Sequence, residues 1–520
     1  MENTAEHAIC IRNVTKTFGP VCANDKVCLD VSRGEILALL GENGSDKTTL
    51  MNMLSGIYYP DSGHIFVNGE EVIIRSPKDA YDLGIGMIHQ HFKLVDVLTA
   101  AENIVLGLPG SVHINRRALC REISEISHKY GFDIDPNKKI YNMSVSEKQT
   151  VEIIKVLYRG AKTLILDEPT AVLTPQETEK LFAVLRNMKA DGKAIIIITH
   201  KLAEVLAISD RVTILRKGCL IDTVETKNAT MQSLTEAMVG RSISLSIKRE
   251  MPDNAKARLD VKELTCTNHD GVKVLENVSF TLRAGEILGI AGIAGSGQKE
   301  LCEAIAGLYP IADGEVLFIN KTTGEKDNLA HKTPTEIIEL GVSMAFVPED
   351  RLGMGLVASM DMVDNVMLKS YRSNKGPLLD RKAPKALAES LIKKLDIITP
   401  GTSTPVARLS GGNVQKVLLG REIAGAPSVL LVAYPVRGLD INSSYTIYDL
   451  LNEQKRKDVA VLFIGEDLDV LLELCDRILV LCGGKVSGLV DARGITKEEI
   501  GLMMMHIDDE FKQREGEVGA

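Results

Sequence analysis

Glu35-Ile-Leu-Ala-Leu-Leu40, followed directly by Gly41-Glu-Asn-Gly-Ser-Asp-Lys47-Thr48, is the stretch that decides the fold of this chain. The first six residues are typical of a buried strand, the glycine-containing turn follows, and residues 47–54 predict a helix. A strand, a glycine-rich loop and a helix N-terminus bind phosphates through backbone N–H groups. In such a loop Lys47 reaches the β- and γ-phosphates, and the Thr48 hydroxyl ligates Mg²⁺.

One residue departs from this pattern, because Asp46 stands where the last glycine of the loop is expected. A Cβ costs roughly 1–2 kcal/mol where the backbone needs a glycine. A carboxylate ~5 Å from a phosphate adds roughly 3 kcal/mol of repulsion at an effective dielectric of 20. We therefore expect Asp46 to lower nucleotide affinity by roughly two or three decades, with Lys47 and Mg²⁺ offsetting part of the loss.

Two apolar runs further along the chain complete the α/β pattern. Residues 162–167 and 193–199 predict strands of a parallel sheet, and the capping residues Thr174-Pro-Gln-Glu177 predict the start of the helix between them. The first run ends in Asp167 and Glu168, and the second ends in His200. We expect Asp167 to hold Mg²⁺ through water, Glu168 to polarise the attacking water and His200 to contact the γ-phosphate.

The sequence repeats itself, which settles its organisation. Early landmarks recur 251 residues later and later ones recur 266 residues later, as in Arg33-Gly-Glu-Ile-Leu37 with Ala284-Gly-Glu-Ile-Leu288, and Ser144 with Ser410. Two equivalent domains are predicted, residues 1–243 and 257–510, joined by a polar segment.

Composition narrows the class of protein. Apolar residues make up 45% and charged residues 25% of the 520, which is average for a soluble globular chain. The net charge of −9 argues against a broad nucleic-acid surface. We expect a cytosolic chain, because no apolar stretch approaches the ~18 residues of a membrane helix and the acidic N-terminus lacks a signal core. The nine cysteines show no metal-binding spacing, so reduced thiols are expected.

On these motifs both halves resemble ATP-binding cassettes. The whole chain, over about 8–510, resembles the tandem-cassette ATPase subunit of ABC importers for simple sugars and nucleosides. The resemblance implies an α/β fold of two tandem nucleotide-binding domains of the P-loop NTPase type. Each would have a RecA-like parallel sheet core with antiparallel β and helical subdomains, and ATP and Mg²⁺ would be the ligands.

The resemblance also implies roles for further residues. Phe18 would stack on adenine, and Gln90 would be the Gln-loop residue that senses Mg²⁺ and the membrane subunit. Leu409-Ser410-Gly411-Gly412-Asn413 matches the signature loop, which caps the γ-phosphate bound by the other cassette. The predicted catalytic residues are Glu168, His200 and Gln90, and the predicted metal ligands are Thr48, Gln90 and Asp167. The predicted nucleotide-binding residues are Phe18, Gly41, Glu42, Asn43, Gly44, Ser45, Asp46, Lys47, Thr48, Thr49, Asp167, Ser410, Gly411 and Gly412.

The two ATP sites implied by the resemblance are unequal. The first combines the loop of the first domain with the signature at Ser410. In the second, Gln298 and Lys299 replace the lysine and hydroxyl, Ala433 and Tyr434 replace the carboxylates, and Glu466 replaces the histidine. Its facing signature carries serine at 146 where glycine is usual. We expect no hydrolysis there, and a role in regulation or in holding the dimer.

The leading hypothesis is an import motor at the cytoplasmic face of the membrane. It would act with two integral-membrane permease subunits and, indirectly, with an extracytoplasmic solute-binding protein, without nucleic acid. One alternative is a catalytically impaired binding or regulatory module, suggested by Asp46 and Ser146. Another is a soluble tandem-cassette translation factor, which the short linker, the acidic charge and the missing carboxylates of the second half disfavour. The strand Leu430-Leu-Val-Ala-Tyr-Pro435 hints at nucleosides, because nucleoside-type members of the family lack the acidic pair there.

Overall fold

The computed structural model describes residues 7–19, 21–42, 45–89, 92–108, 115–171, 173–240, 247, 249, 256–339, 344–371 and 379–505. The chain separates into two compact units, Met1–Ser244 and Leu245–Ala520. No helix in these ranges is long and apolar enough to cross a membrane.

Unit 1 is an α/β unit built on a six-stranded sheet. Its described strands are β1 His7–Phe18, β2 Val21–Ser32, β3 Ile36–Leu40, β4 Ser62–Val67, β5 Glu70–Val72, β6 Ile85–Ile88, β7 Thr163–Asp167, β8 Ala194–Ile198, β9 Arg211–Arg216 and β10 Cys219–Glu225. Its described helices are α1 Lys47–Leu54, α2 Pro77–Asp82, α3 Ala100–Val105, α4 Arg116–Tyr130, α5 Val145–Tyr158, α6 Pro175–Ala190, α7 Leu202–Ile208 and α8 Met231–Val239.

The six-stranded sheet has the order β10-β9-β3-β8-β7-β6, and a second, antiparallel sheet has the order β2-β1-β4-β5. In the larger sheet β3 pairs in parallel with β8 and β9, and β7 pairs in parallel with β6 and β8. Parallel pairing brings the carboxyl ends of these strands to one edge of the sheet. The loop after Leu40, the Asp167–Glu168 pair and His200 therefore follow strands that end on the same side.

Burial explains why these apolar runs form strands. Every residue of β3, β7 and β8 is buried, since both faces of the sheet are covered. Leu37 and Leu39 pack into one hydrophobic cluster, with Ile196, and Ile36 packs into another, on the opposite face, with Ile195. The strands lie within one residue of the predicted runs. Helix α6 begins at Pro175 with the predicted capping box between Thr174 and Glu177.

Unit 2 repeats this architecture. Its described strands are β11 Ala257–Thr267, β12 Lys273–Arg283, β13 Ile287–Gly292, β14 Ile311–Ile319, β15 Lys326–Asn328, β16 Met344–Val347, β17 Val429–Ala433, β18 Ala460–Ile464, β19 Arg477–Cys482 and β20 Lys485–Asp491. Its described helices are α9 Gln298–Ile305, α10 Pro334–Glu339, α11 Met362–Met367, α12 Lys382–Lys394, α13 Gly411–Ala424, α14 Ile441–Arg456, α15 Leu468–Leu474 and α16 Lys497–Met505.

The sheets of unit 2 have the orders β16-β17-β18-β13-β19-β20 and β12-β11-β14-β15. Read from the opposite edge, the larger order is that of unit 1, with β13 in the place of β3 and β17 in the place of β7. The predicted fold class, two tandem α/β nucleotide-binding domains, is confirmed. The repeat also gives each site residue of unit 1 a counterpart in unit 2.

Candidate functional site

The phosphate loop of unit 1 connects β3 to α1. Its first residue must be a glycine, because a Cβ on Gly41 would lie 2.3 Å from both the Leu215 carbonyl oxygen and Ser45 Oγ. The Lys47 ammonium is buried inside the loop, where Nζ donates to the carbonyl oxygens of Gly41 at 2.7 Å and Glu42 at 3.1 Å. Burial lowers the pKa of Lys47, and nearby carboxylates, led by Glu168, oppose this shift.

Thr48 and Asp167 meet beside this lysine. The Thr48 hydroxyl donates to Asp167 Oδ2 at 3.3 Å, across the gap between α1 and the end of β7. Asp167 is buried, and this burial, followed by the charge of Glu168, raises its pKa. A hydroxyl and one carboxylate are oxygen ligands of the kind Mg²⁺ takes together with substrate phosphates. Among the described residues no group of three or more acidic, histidine or cysteine side chains is arranged to hold a metal ion by itself.

Glu168 stands in an unusual backbone conformation next to His200. Its φ is 50°, in the left-handed region, and its N–H donates to the Ile198 carbonyl oxygen at 2.8 Å. Glu168 Oε1 lies 2.9 Å from His200 Nδ1, while the buried Oε2 has no hydrogen-bond partner among the described residues. Left-handed non-glycine residues concentrate at functional sites. The arrangement leaves one carboxylate oxygen unpaired by the described residues and closed to solvent in this conformation.

Asp46 is accommodated at the end of the loop. Its φ of 63° and ψ of 30° lie in the left-handed region, which aspartate enters more readily than most residues. The conformational cost of Asp46 is therefore at the low end of the predicted range of roughly 1–2 kcal/mol. The Asp46 Oδ1 accepts from Thr49 Oγ1 at 3.2 Å, and its carbonyl oxygen accepts from Asn24 Nδ2 at 3.3 Å. Burial is the largest influence on its carboxyl and raises its pKa.

Phe18 lies at the end of β1, with 43% of its surface exposed. Its ring meets the Tyr58 ring edge to face, with centroids 5.2 Å apart, and the Lys16 ammonium lies 5.6 Å from its centroid. An exposed aromatic side chain fixed by such contacts can offer a flat surface for stacking. Asn43, Gly44 and Gln90 lie outside the described residues.

The two signature loops differ in how they cap their helices. In unit 1 the Ser144 hydroxyl accepts from the Glu147 N–H at 3.2 Å, and the Glu147 carboxylate forms an ion pair with Lys138 at 2.6 Å. In unit 2 Ser410 makes no such cap bond, and its hydroxyl instead accepts from Asn413 Nδ2 at 2.9 Å, ahead of Gly411 and Gly412. The Ser410 hydroxyl is therefore not part of a capping box. Position 413, three residues after the serine, holds an asparagine, whereas the unit 1 loop has the acidic Glu147 three residues after Ser144.

The phosphate-loop region of unit 2 keeps the backbone of unit 1 without its chemistry. Gln298 Nε2 donates to the Ile293 carbonyl oxygen at 3.1 Å, the bond that Lys47 makes to Glu42 in unit 1. Tyr434 has a φ of 49°, and its N–H donates to the Ile464 carbonyl oxygen at 2.9 Å, as in Glu168. Ala433 offers no metal ligand.

An ion-paired cluster around Arg437 occupies the position of the acid–histidine pair in unit 2. Arg437 pairs with Glu349 and, at 3.0 Å, with Glu466, and its guanidinium lies 5.9 Å from the Tyr434 ring centroid. The Arg437 carbonyl oxygen accepts from Arg351. The stretches 347–351 and 437–440 resemble motifs of the second cassette of the family, but neither the pairing of Arg437 with the two glutamates nor a role for Asn24 was predicted from the sequence.

Comparison with known proteins shows which sequences this chain is similar to. The sequence model of the ABC transporter family matches residues 24–171 and 275–435. The nucleoside import ATP-binding protein NupA of Lactococcus lactis subsp. cremoris is 41% identical over 505 residues, which cover 96% of this chain and 98% of that protein. The glucose import ATP-binding protein TsgD13 of Haloferax volcanii is 40% identical, covering 96% of each chain.

Among solved structures, the complex of the archaeal ribosomal stalk protein aP1 with the archaeal ribosome recycling factor aABCE1 matches with a TM-score of 0.60. The match covers 95% of this chain and 91% of that chain at 16% sequence identity. At this identity the likeness concerns the fold alone.

The raised pKa of Asp46 predicts a pH dependence of nucleotide affinity. Protonation removes the charge that repels a phosphate, so lowering the pH should strengthen Mg-ATP binding by the wild type relative to Asp46→Asn, which keeps the left-handed backbone. We expect the dissociation constant of the wild type, divided by that of Asp46→Asn, to fall several-fold between pH 7.5 and pH 5. Calorimetric titration of both proteins measures it, and a ratio independent of pH would contradict the repulsion.

The Arg437 cluster predicts a stability effect confined to unit 2. Arg437→Ala leaves Glu349 and Glu466 without their shared cation, and we expect a loss of about 1 kcal/mol because the side chain is half-exposed. The apparent melting temperature of unit 2 should fall by about 2–4 °C. Lys321→Ala is the control, since Lys321 forms a single exposed pair with Asp458, and an equal loss in both variants would count against the cluster.

Proposed function

This chain belongs to the ABC transporter family as an ATP-binding import subunit, and we propose that ATP hydrolysis at the phosphate loop of unit 1 powers the uptake of a simple sugar or a nucleoside. The observation that supports this most is the meeting of Lys47, the Thr48–Asp167 pair and the Glu168–His200 pair at one edge of the sheet. Unit 2 holds no equivalent set among its described residues.

Each residue of unit 1 has a task in this proposal. The Lys47 ammonium exchanges its bonds to the carbonyls of Gly41 and Glu42 for phosphate oxygens. Thr48 and Asp167 are the residues that would hold Mg²⁺, which when bound neutralises phosphate charge. Glu168 orients the attacking water through its carboxylate, and His200 holds one oxygen of that carboxylate.

The remaining roles follow the family resemblance. Phe18 stacks on adenine, Gln90 links the site to the membrane subunit, and Ser410, Gly411 and Gly412 cap the γ-phosphate. The site of unit 2, with Gln298, Ala433 and Tyr434, regulates or holds nucleotide without hydrolysing it.

We further propose two integral-membrane permease subunits as partners, an indirect link to an extracytoplasmic solute-binding protein, and a position at the cytoplasmic face of the membrane. The names of the relatives, both import ATP-binding proteins, support this assignment over a translation factor. Identities of 41% and 40% do not separate nucleosides from sugars. Ala433 and Tyr434, in place of an acidic pair, favour nucleosides.

The decisive experiment measures Mg-ATP binding and turnover of the full-length chain. We expect Glu168→Gln to lower turnover at least about 100-fold while it retains and traps ATP, because the amide cannot take up a proton. The matched control is Glu179→Gln, the same change at an exposed glutamate of α6, which should leave turnover within about twofold of wild type.

Two results would refute the proposal. Equal turnover by wild type and Glu168→Gln would remove Glu168 from the reaction. ATP binding by Asp46→Gly but not by wild type would instead favour the impaired binding module.

A further inference from the structure

The last loop residue before α1 and α9 differs between the two units. Gly297 has a φ of 96° and a ψ of 6°, which L-residues rarely adopt, whereas Asp46 has a φ of 63° and a ψ of 30°. The second pair of angles falls inside the small left-handed region open to residues with a Cβ. The two loops thus end in related but distinct conformations.

The neighbour of this position also differs. A Cβ on Gly297 would lie 2.5 Å from Leu275 Cδ2 and 2.8 Å from the Val274 carbonyl oxygen, so the glycine is required by packing as well as by φ. Leu275 is fully buried in the hydrophobic cluster of unit 2. The space for a side chain is therefore closed by that leucine in unit 2.

In unit 1 the residue equivalent to Leu275 is Asn24, which lies 251 residues earlier in the sequence. The strand pairing supports this equivalence, because the Asp25 N–H donates to the Gly218 carbonyl oxygen at 2.9 Å and the Glu276 N–H donates to that of Gly484 at 2.8 Å. Both changes, leucine to asparagine and glycine to aspartate, thus fall on residues that touch each other.

Asn24 is fully buried, and its amide bonds to the loop. Nδ2 donates to the Asp46 carbonyl oxygen at 3.3 Å, a bond that leucine cannot make. Asn24 Oδ1 is buried without a hydrogen-bond partner among the described residues, which makes an amide here costly for stability. A buried polar residue kept at such a cost indicates a task other than core packing.

We propose that Asn24 is a positioning residue for the phosphate loop of unit 1, and that Asn24 and Asp46 form a matched pair in place of leucine and glycine. Asn24 Nδ2 anchors the Asp46 carbonyl, and Thr49 holds the carboxylate through its hydroxyl. The pair keeps the loop able to bind phosphates despite Asp46. This inference rests on the proposed function, since it concerns the same ATP site.

The test is a double-mutant cycle in the full-length chain with wild type, Asn24→Leu, Asp46→Gly and the double variant. Mg-ATP dissociation constants, KM and kcat are measured for each. We expect Asn24→Leu alone to raise Kd and KM at least tenfold, because leucine loses the bond to the Asp46 carbonyl and, in unit 2, lies where a Cβ would stand. Asp46→Gly should bind at least as tightly as wild type, and the double variant should bind like Asp46→Gly.

If Asn24→Leu only disturbed the packing of the core, Asp46→Gly would not restore Mg-ATP binding, because the same packing defect would persist in the double variant. Asn24→Ala separates space from hydrogen bonding, since it leaves room and removes only the amide. Asn24→Ala should raise the Kd for Mg-ATP several-fold in the wild-type background and leave it unchanged in the Asp46→Gly background. If circular dichroism shows Asn24→Leu to be misfolded, the same cycle is run with Asn24→Ala.

The outcomes separate this proposal from the one it rests on. Wild-type binding by Asn24→Leu, or an equal loss in both backgrounds, overturns the matched pair and leaves the ATP site in place. Absence of ATP binding in all four proteins overturns the proposed function and the pair together.

Discussion

The parallel pairing of β3 with its neighbours is the constraint on which the rest of unit 1 depends. Leu39 pairs with Ile198 and Leu40 with Ile214, and Asp167 at the end of β7 also pairs with Ile198. This register brings the loop after β3 and the acid after β7 to the same edge. The bond from Thr48 to Asp167, which joins residues 119 apart in sequence, follows from it.

The second unit shows how far this backbone can be separated from its chemistry. Tyr434 keeps the left-handed φ and the N–H bond of Glu168, and Gln298 keeps a bond of Lys47. Sheet pairing imposes the φ and the N–H bond whatever the side chain is, whereas the bond of Gln298 depends on its amide. The chemistry therefore depends on the side chains alone. In unit 2 an arginine and two carboxylates occupy the position that an acid and a histidine occupy in unit 1.

Local patterns predicted the elements that frame the site, and failed where distant residues interact. The buried runs near 35–40, 162–167 and 193–199 became strands because continuous burial has a clear apolar signature. The bond between Asn24 and Asp46, and the pairing of Arg437 with Glu349, have no local signature, because only the tertiary fold brings these residues together. The sequence predicted that residue 46 stands where the backbone needs a glycine, but not that Asn24 and Thr49 hold the Asp46 carbonyl and carboxylate.

Electrostatics decides what this site can bind. Four carboxylates act on the buried Lys47 ammonium, those of Glu168, Asp167, Glu42 and Asp46. Negative charges around the loop therefore outnumber positive ones before a phosphate binds. Adding a polyphosphate to such a surrounding is unfavourable unless a cation accompanies it. Asp46 contributes one charge that the glycine of unit 2 does not. Under the proposed function, the aspartate makes nucleotide binding in unit 1 more dependent on a divalent cation, for which Thr48 and Asp167 would provide the oxygen ligands.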